Sequence, residues 1–328
     1  GIYLNQQRAP LDKPEVRWAL ALSIDLQTVG ITAVNGEFKA AALPLADTPI
    51  TDPLFYKPLL DFLTGLKLKD GYQPFNANFG SDLIAKLKDQ GMDDSMLPTG
   101  DAIKAGFGQG WWKYDPAEAE KLLNSVGIKK GSDGFYTLPD GSPWTIDFVF
   151  PSDWNKVMER VGFSIADSWK KAGFNVNARQ VDNGEFTTVQ NTNSKLQAMI
   201  NWSSSCTYNQ NFLNSWRSFT PTNVKDANSN DPLSGNYLRV TDQKIFDLVA
   251  DATKQETTSD AFLKDGQQIA QELTSGMQLI NLMNIPTTIP TNSYYWKNYP
   301  KADNFYAAPY TWWSSFKKTI VNIQPTGK

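Results

Sequence analysis

Between residues 145 and 209 the hydrophobic pattern changes period repeatedly. TIDFVF (145–150) is a β-branched and aromatic run and predicts a strand. Residues 151–174 then repeat apolar side chains at helical spacing, at Val157, Val161, Ile165 and Trp169. This helix opens on two candidate caps, Ser152 and Asp153, and ends at Gly173, a residue suited to a left-handed C-terminus. NVNARQV (175–181) and LQAMINW (196–202) predict two further strands, with a short helix between them. Strands joined by helices must cross over, so the predicted class is α/β with a parallel sheet. Open parallel sheets bind ligands beyond the carboxyl ends of their strands. Here those ends are residues 151–154, 182–185 and 202–209, which hold Trp, Ser, Asn and a few acids.

Other segments are less regular. Asp12 and Glu15 predict a capping box ahead of a helix with Val16, Leu20 and Ile24 on one face. Residues 36–79 are rich in Pro and Gly, with short helices expected at 53–64 and a further helix at 81–90. Residues 91–110 read as loop. Asp115, Pro116 and Glu118 predict a strong helix start, and that helix stops at Gly127. Asp133-Gly134 and Asp140-Gly141 predict turns on either side of FYTL. After residue 209 the reading is a short helix at 211–217, a polar surface loop at 218–239, a helix capped by Thr241, and a helix at 260–274. Strands are expected at 277–283 and 318–323.

Composition narrows the chemistry. The 328 residues carry a net charge of -3, which suggests neither nucleic acid nor an anionic membrane as partner. No apolar run reaches the roughly 18 residues of a membrane span. The chain has no His, which removes Ser-His-Asp and Cys-His catalysis and His-based zinc sites. Its one Cys, Cys206, cannot form an internal disulfide and gives no metal cluster. Eleven Trp are present. Trp18 and Trp169 fall on helix faces and are expected in the core. The adjacent pairs Trp111-Trp112 and Trp312-Trp313 are harder to bury, so one of each pair is expected at a surface or cleft.

The order of three motifs resembles the carboxyl-terminal half of the extracytoplasmic solute-binding proteins of bacterial ABC importers, in the oligopeptide/dipeptide-binding family 5. The first is Pro10-Leu11-Asp12 followed by VRWALALSID (16–25). The second is Tyr114-Asp115-Pro116, Ala119, Leu122-Leu123 and Gly127. The third is Trp169-Lys170-Lys171-Ala172-Gly173 closing the long helix. The resemblance implies a two-lobed periplasmic-binding-protein-like fold of type II, with the amino-terminal half of a family member lying before Gly1. It implies a crossing segment at 1–10, lobe II at 11–202 and a returning part of lobe I at 203–328. It also implies a periplasmic or extracytoplasmic location, lipid-anchored in a single-membrane bacterium, with the membrane permease and the amino-terminal half as partners. Should Cys206 be bridged, its partner would come from that half; the alternative is a free buried thiol.

Peptide binders of the family carry an Asp for the peptide's α-ammonium after the strand that ends in Gly-Trp. Here the stretch is NWSSSCTYN (201–209), with no acid. A closed-in ammonium without a carboxylate would lose a charge-assisted bond. The FYTLPDGSPW and FPSDW blocks look more like the family's sugar-binding branch. Flat Trp faces with hydroxyl and amide groups suit a neutral oligosaccharide. The candidate ligand-binding residues are therefore Trp202, Trp154, Ser203, Ser204, Ser205, Asn209, Trp216, Asp153, Glu185 and Trp112, with no cofactor and no metal. Two alternatives stand beside this reading: an oligopeptide-binding protein of the same family, and a glycoside hydrolase, which would need two carboxylates about 5–9.5 Å apart. Asp226-x-Asn228-x-Asn230 resembles the start of a calcium loop, but Asp231 and Tyr237 occupy the positions where Gly and Glu are needed, so it reads as a solvated loop.

Overall fold

A central strand with four buried apolar residues, Ile146, Phe148, Val149 and Phe150, can exist only if both of its faces are covered. The computed structural model, which describes residues 1–192, 196–202, 212–286, 290–301, 303–304, 306–307 and 316–328, supplies that cover. Its sheet comprises β1 (Ile2–Leu4), β2 (Thr145–Pro151), β3 (Asn175–Val181) and β4 (Ala198–Ile200), in the order β1-β4-β2-β3. The expected parallel pairing is present: β2 pairs with β3 from Thr145↔Asn175 to Pro151↔Val181, and with β4 at Phe148↔Ala198 and Val149↔Met199. The edge strand β1 runs antiparallel to β4, with Ile2 opposite Ile200.

The helices that matter here are α1 (Pro14–Leu22), α2 (Leu26–Val34), α3 (Pro116–Ser125), α4 (Lys156–Ala172), α5 (Asn183–Asn191), α6 (Gln243–Ala252) and α7 (Asp260–Ser275). The crossover helix α4 buries Met158, Val161, Ile165 and Trp169 on one stripe. Its cap is Asn155, whose side chain accepts from Met158 N at 3.0 Å, and not Ser152 or Asp153. At the other end Gly173 adopts φ 102°, the left-handed conformation expected of it. Gly162 lets α4 lie on the strand below, because a Cβ there would sit 2.5 Å from the Phe150 ring. Polar bonds join α4 to the first helices: Trp169 Nε1 donates to Leu20 O at 2.9 Å, and Ser168 Oγ donates to Ser23 O at 3.0 Å.

Asp115 caps α3 as expected, accepting from Glu118 N at 3.0 Å. Asp12 does not cap α1. Pro14, which has no N–H to be capped, opens the first turn, so Asp12 lies one residue outside the cap position held by Lys13. Asp242, not Thr241, caps α6, and Ser259 caps α7. The 91–110 segment expected as loop contains a helix at Asp101–Phe107. The 277–283 segment is not a strand. It holds an isolated bridge, Ile280 to Ile2, and only Met283–Asn284 pairs, antiparallel to Lys39–Ala40.

The chain divides into two units, Gly1–Ile285 and Pro286–Lys328. The first contains the sheet together with α6 and α7. The second contains a helix, Phe316–Asn322, where a strand was expected over 318–323. Ile320 and Val321 of that helix are exposed, while Thr319 is buried. The strand in that unit is a two-residue pair, Trp296–Lys297 with Gln324–Pro325.

Candidate functional site

The carboxyl ends of β2, β3 and β4 lie side by side. Ser152 fastens the ends of β2 and β3, its N and Oγ both donating to Val181 O at 2.9 and 3.0 Å. Two residues on, the Trp154 ring sits edge-on to Phe186 of α5, 5.4 Å between centroids at 76°. It also meets the Trp202 ring at 4.8 Å and 45°. Trp202 follows β4 and remains 55% exposed despite that contact. The three rings therefore form one cluster with an open face at the position the strand pattern indicated. Phe186 was not foreseen, because its membership depends on how α5 turns back over the strand ends.

The cluster's backbone is held from the opposite edge of the sheet. Tyr3 of β1 donates its hydroxyl to Trp202 O at 2.5 Å. Burial first, then the neighbouring Tyr237, pushes the Tyr3 hydroxyl well above the usual phenol range, with Arg239 opposing, so it acts as a neutral donor. Asn201 is 4% exposed, and its Oδ1 accepts from Trp202 N at 2.8 Å. The Tyr3 contact was not readable in the sequence, since Tyr3 lies 199 residues from Trp202.

Two of the acids at the strand ends are occupied. Asp182 caps α5 by accepting from Glu185 N at 2.9 Å. Glu185 is 2.7 Å from Arg179 Nη1, and Asp147 takes the same guanidinium through two bonds of 2.9 and 3.1 Å. The hydrogen bonds that Arg179 donates to those two carboxylates, Asp147 foremost, raise its pKa above its already high value. Asp153 is exposed and receives Asn183 N at a long 3.4 Å.

Two expected site residues lie elsewhere. Trp112 and Trp216 are each 2% exposed. Trp111 and Trp112 form a short strand against Phe75–Asn76, and both faces of that strand are covered. Trp111 donates Nε1 to Asn281 O at 2.9 Å, while Trp112 packs edge-on to Trp18 at 4.9 Å. The expectation that one of the pair would reach a surface therefore fails. Trp216 packs against Phe212 and Phe55, and Phe212 stacks on Phe262 of α7 at 4.2 Å. These two rings belong to the core. Ser203, Ser204, Ser205, Cys206 and Asn209 lie outside the described residues, as do Trp312 and Trp313.

Among the described residues no group of three acid or Cys side chains is placed to hold a metal ion. Asp226 Oδ1 accepts from Asn228 N at 2.8 Å, a local turn within the stretch that resembles a calcium loop. No described helix is long and apolar enough to cross a membrane.

Residues 1–223 match the family model described as bacterial extracellular solute-binding proteins, family 5 Middle. No curated protein sequence matches the chain. The fold is similar to the periplasmic oligopeptide-binding protein of an oligopeptide ABC transporter from Thermotoga maritima, at 21% identity and TM-score 0.70, covering 99% of this chain and 52% of that one. A second structure of the Thermotoga maritima protein, with mannohexaose bound, matches at 21% identity and TM-score 0.69, covering 100% and 52%. The oligopeptide-binding protein AppA from Bacillus subtilis, in complex with a nonapeptide, matches at 20% identity and TM-score 0.55, covering 86% and 44%. The chain thus spans about half the length of these relatives.

Proposed function

This chain belongs to the bacterial extracellular solute-binding proteins of family 5, and we propose that it captures a neutral oligosaccharide outside the cytoplasm for an ABC importer. The observation that carries this reading is the Trp154–Trp202–Phe186 cluster at the carboxyl ends of parallel strands, with the Trp202 face open. Sugar C–H faces stack on such rings, while hydroxyls take hydrogen bonds from amides. Two of the acids beside the cluster already have partners, Asp182 as a cap and Glu185 with Arg179. Asp153, exposed beside Trp154, remains open as an acceptor for sugar hydroxyls. The Thermotoga maritima relative with mannohexaose bound supports the same ligand class. On this reading residues 11–202 supply one wall of the cleft, residues 203–328 return to the other lobe, and the loaded protein docks on the membrane permease. The protein binds its solute and releases it unchanged.

Calorimetric titration tests this, with mannohexaose, cellohexaose and a nonapeptide as probes. A hexasaccharide should bind, shift Trp fluorescence and be recovered intact. Trp202→Ala should weaken it by about 1–3 kcal/mol, the loss of a buried aromatic contact. Tighter binding of the nonapeptide, lost when its amino terminus is acetylated, would replace the sugar reading with the oligopeptide one.

A further inference from the structure

Helix α5 presents Phe186 to the Trp154 ring, yet little in its own sequence holds it helical. Its nine residues, NGEFTTVQN, include Gly184 and a β-branched run, Thr187, Thr188 and Val189. Such residues rank low in helix propensity, and so short a helix is marginal in isolation. Phe186 is its one buried residue. The amino terminus has its cap, Asp182. The carboxyl terminus is tied by a distant loop. Leu233 N donates to Asn191 O at 2.9 Å. Arg239 Nη2 donates to Val189 O at 3.1 Å and to Thr192 O at 2.7 Å, while its Nη1 donates to Tyr237 O at 2.5 Å within the loop. The last carbonyls of a helix have no partner inside it and form the negative end of its dipole, so a cation suits them. Arg239 is 1% exposed. Burial, then Arg8, lowers its pKa to about 10, with Tyr3 opposing, so it stays charged at neutral pH. Its φ of 56° is a left-handed conformation, uncommon for a residue with a side chain, and the fold keeps Arg there all the same.

We propose that Arg239 is a positioning residue for the aromatic site: by holding the carboxyl end of α5 it sets Phe186 against Trp154, and so Trp154 against Trp202. This rests on the oligosaccharide reading above and deepens it. Phe186 lies one turn before Val189, so fraying from that end reaches it directly. Once Phe186 leaves, the Trp154 ring loses one of the two aromatic neighbours that orient it.

The test uses Arg239→Asn and Arg239→Lys in the full chain, each with and without the pair Thr187→Ala and Thr188→Ala. Asn removes the guanidinium but tolerates the left-handed backbone. Lys keeps the charge but cannot fork to two carbonyls. The two alanines, at exposed positions of α5, raise its helix propensity without touching the rings. Two readouts are taken. One is calorimetric titration with mannohexaose and cellohexaose. The other needs no sugar: tryptophan rings as close and inclined as Trp154 and Trp202 give an exciton couplet in circular dichroism. Trp18–Trp112 is a second close pair, so the diagnostic signal is the part that Trp202→Ala removes. Arg239→Asn should lose most of that signal and bind the hexasaccharides about tenfold more weakly, with Arg239→Lys between it and wild type. The alanine pair should restore most of the signal and bring affinity to within about threefold of wild type. If Arg239→Asn does not fold, Arg239→Lys with and without the alanines decides. A wild-type couplet in the Arg239 variants would overturn the proposal. So would a loss that the alanine pair does not repair, which would make Arg239 a general support of the fold. Should wild type bind neither hexasaccharide, the functional reading fails, and the couplet and its rescue still decide whether Arg239 orients the rings.

Discussion

At the scale of single residues, burial decides behaviour more than residue type does. Asp47 illustrates this within the first unit. Its side chain is fully buried, and burial pushes its pKa up to about 6, although Lys39 Nζ lies 2.7 Å away and pulls in the opposite direction. The folded state thus holds this proton more tightly than the unfolded chain does. The associated stability is full below about pH 4 and is lost as pH rises through about 6. Asp47→Asn should flatten that loss. In urea denaturation at pH 4 and pH 7, the wild-type difference should exceed that of the variant by about 2–3 kcal/mol. Equal differences in the two proteins would show that Asp47 titrates normally. The contrast with Asp115 is instructive: both are carboxylates early in the chain, but Asp115 spends its charge on a helix cap that the sequence announces.

At the scale of elements, the end of α7 is held by α1. Arg17 is 2% exposed and gives its guanidinium entirely to backbone carbonyls. Nε donates to Gly276 O and Met277 O, Nη2 to Gly276 O, and Nη1 to Leu11 O and Asp12 O, all at 2.6–3.1 Å. Trp18 Nε1 adds a bond to Ser275 O at 3.0 Å. The last carbonyls of a helix lack internal partners and carry its negative dipole end, so a buried cation there meets both needs. Burial lowers the Arg17 pKa to about 10, with Asp12, Glu15 and Asp242 opposing, and the group stays charged at neutral pH. Arg17→Ala should cost about 3 kcal/mol or more in chemical denaturation, because several buried carbonyls lose their donor. Arg17→Lys should recover only part, since one ammonium cannot span two loops. A loss below about 1 kcal/mol in the alanine variant would mean that water replaces the guanidinium.

At the scale of the molecule, the α/β segment is not closed by its own residues. Strand β1 supplies the edge beside β4 and the Tyr3 hydroxyl that fixes Trp202. Gln6 reaches Leu238 O and Gln278 O at 3.0 Å each. Ile2, Tyr3 and Leu4 are all buried, which at about 1.5–3 kcal/mol for a large apolar side chain makes the first residues a major part of the fold's stability. Deleting residues 1–10 should lower stability by several kcal/mol. Deleting 286–328 should leave the cooperative transition of Gly1–Ile285 in place, since that unit holds the sheet and α1–α7. Differential scanning calorimetry of the two truncations separates these outcomes. A smaller effect from removing 1–10 than from removing 286–328 would refute the account.

The sequence by itself determined what local chemistry can specify. Period, β-branched runs, Gly173 and the Asp115 cap placed β2, α4, β3, β4 and α3, and the crossover rule made their sheet parallel. From the strand ends alone, Trp154 and Trp202 followed as candidates for a binding surface; in the structure Trp202 keeps an open face and Trp154 is half-buried. Tertiary structure decided what depends on partners far along the chain. The side chains of Trp112 and Trp216 resemble Trp202 in type, but which faces are covered is set by Trp18, Phe55 and Phe212, so composition could not sort them. The strand expected at 277–283 had an apolar pattern but only isolated partners, because a strand is stabilised by its neighbours and not by its own hydrogen bonds. Tyr3 and Phe186 join Trp202 and Trp154 through contacts that no local window contains. A helix carries its own hydrogen bonds and most of its signal within one stretch of chain; a binding surface is assembled from the ends of several, and only folding brings those ends together.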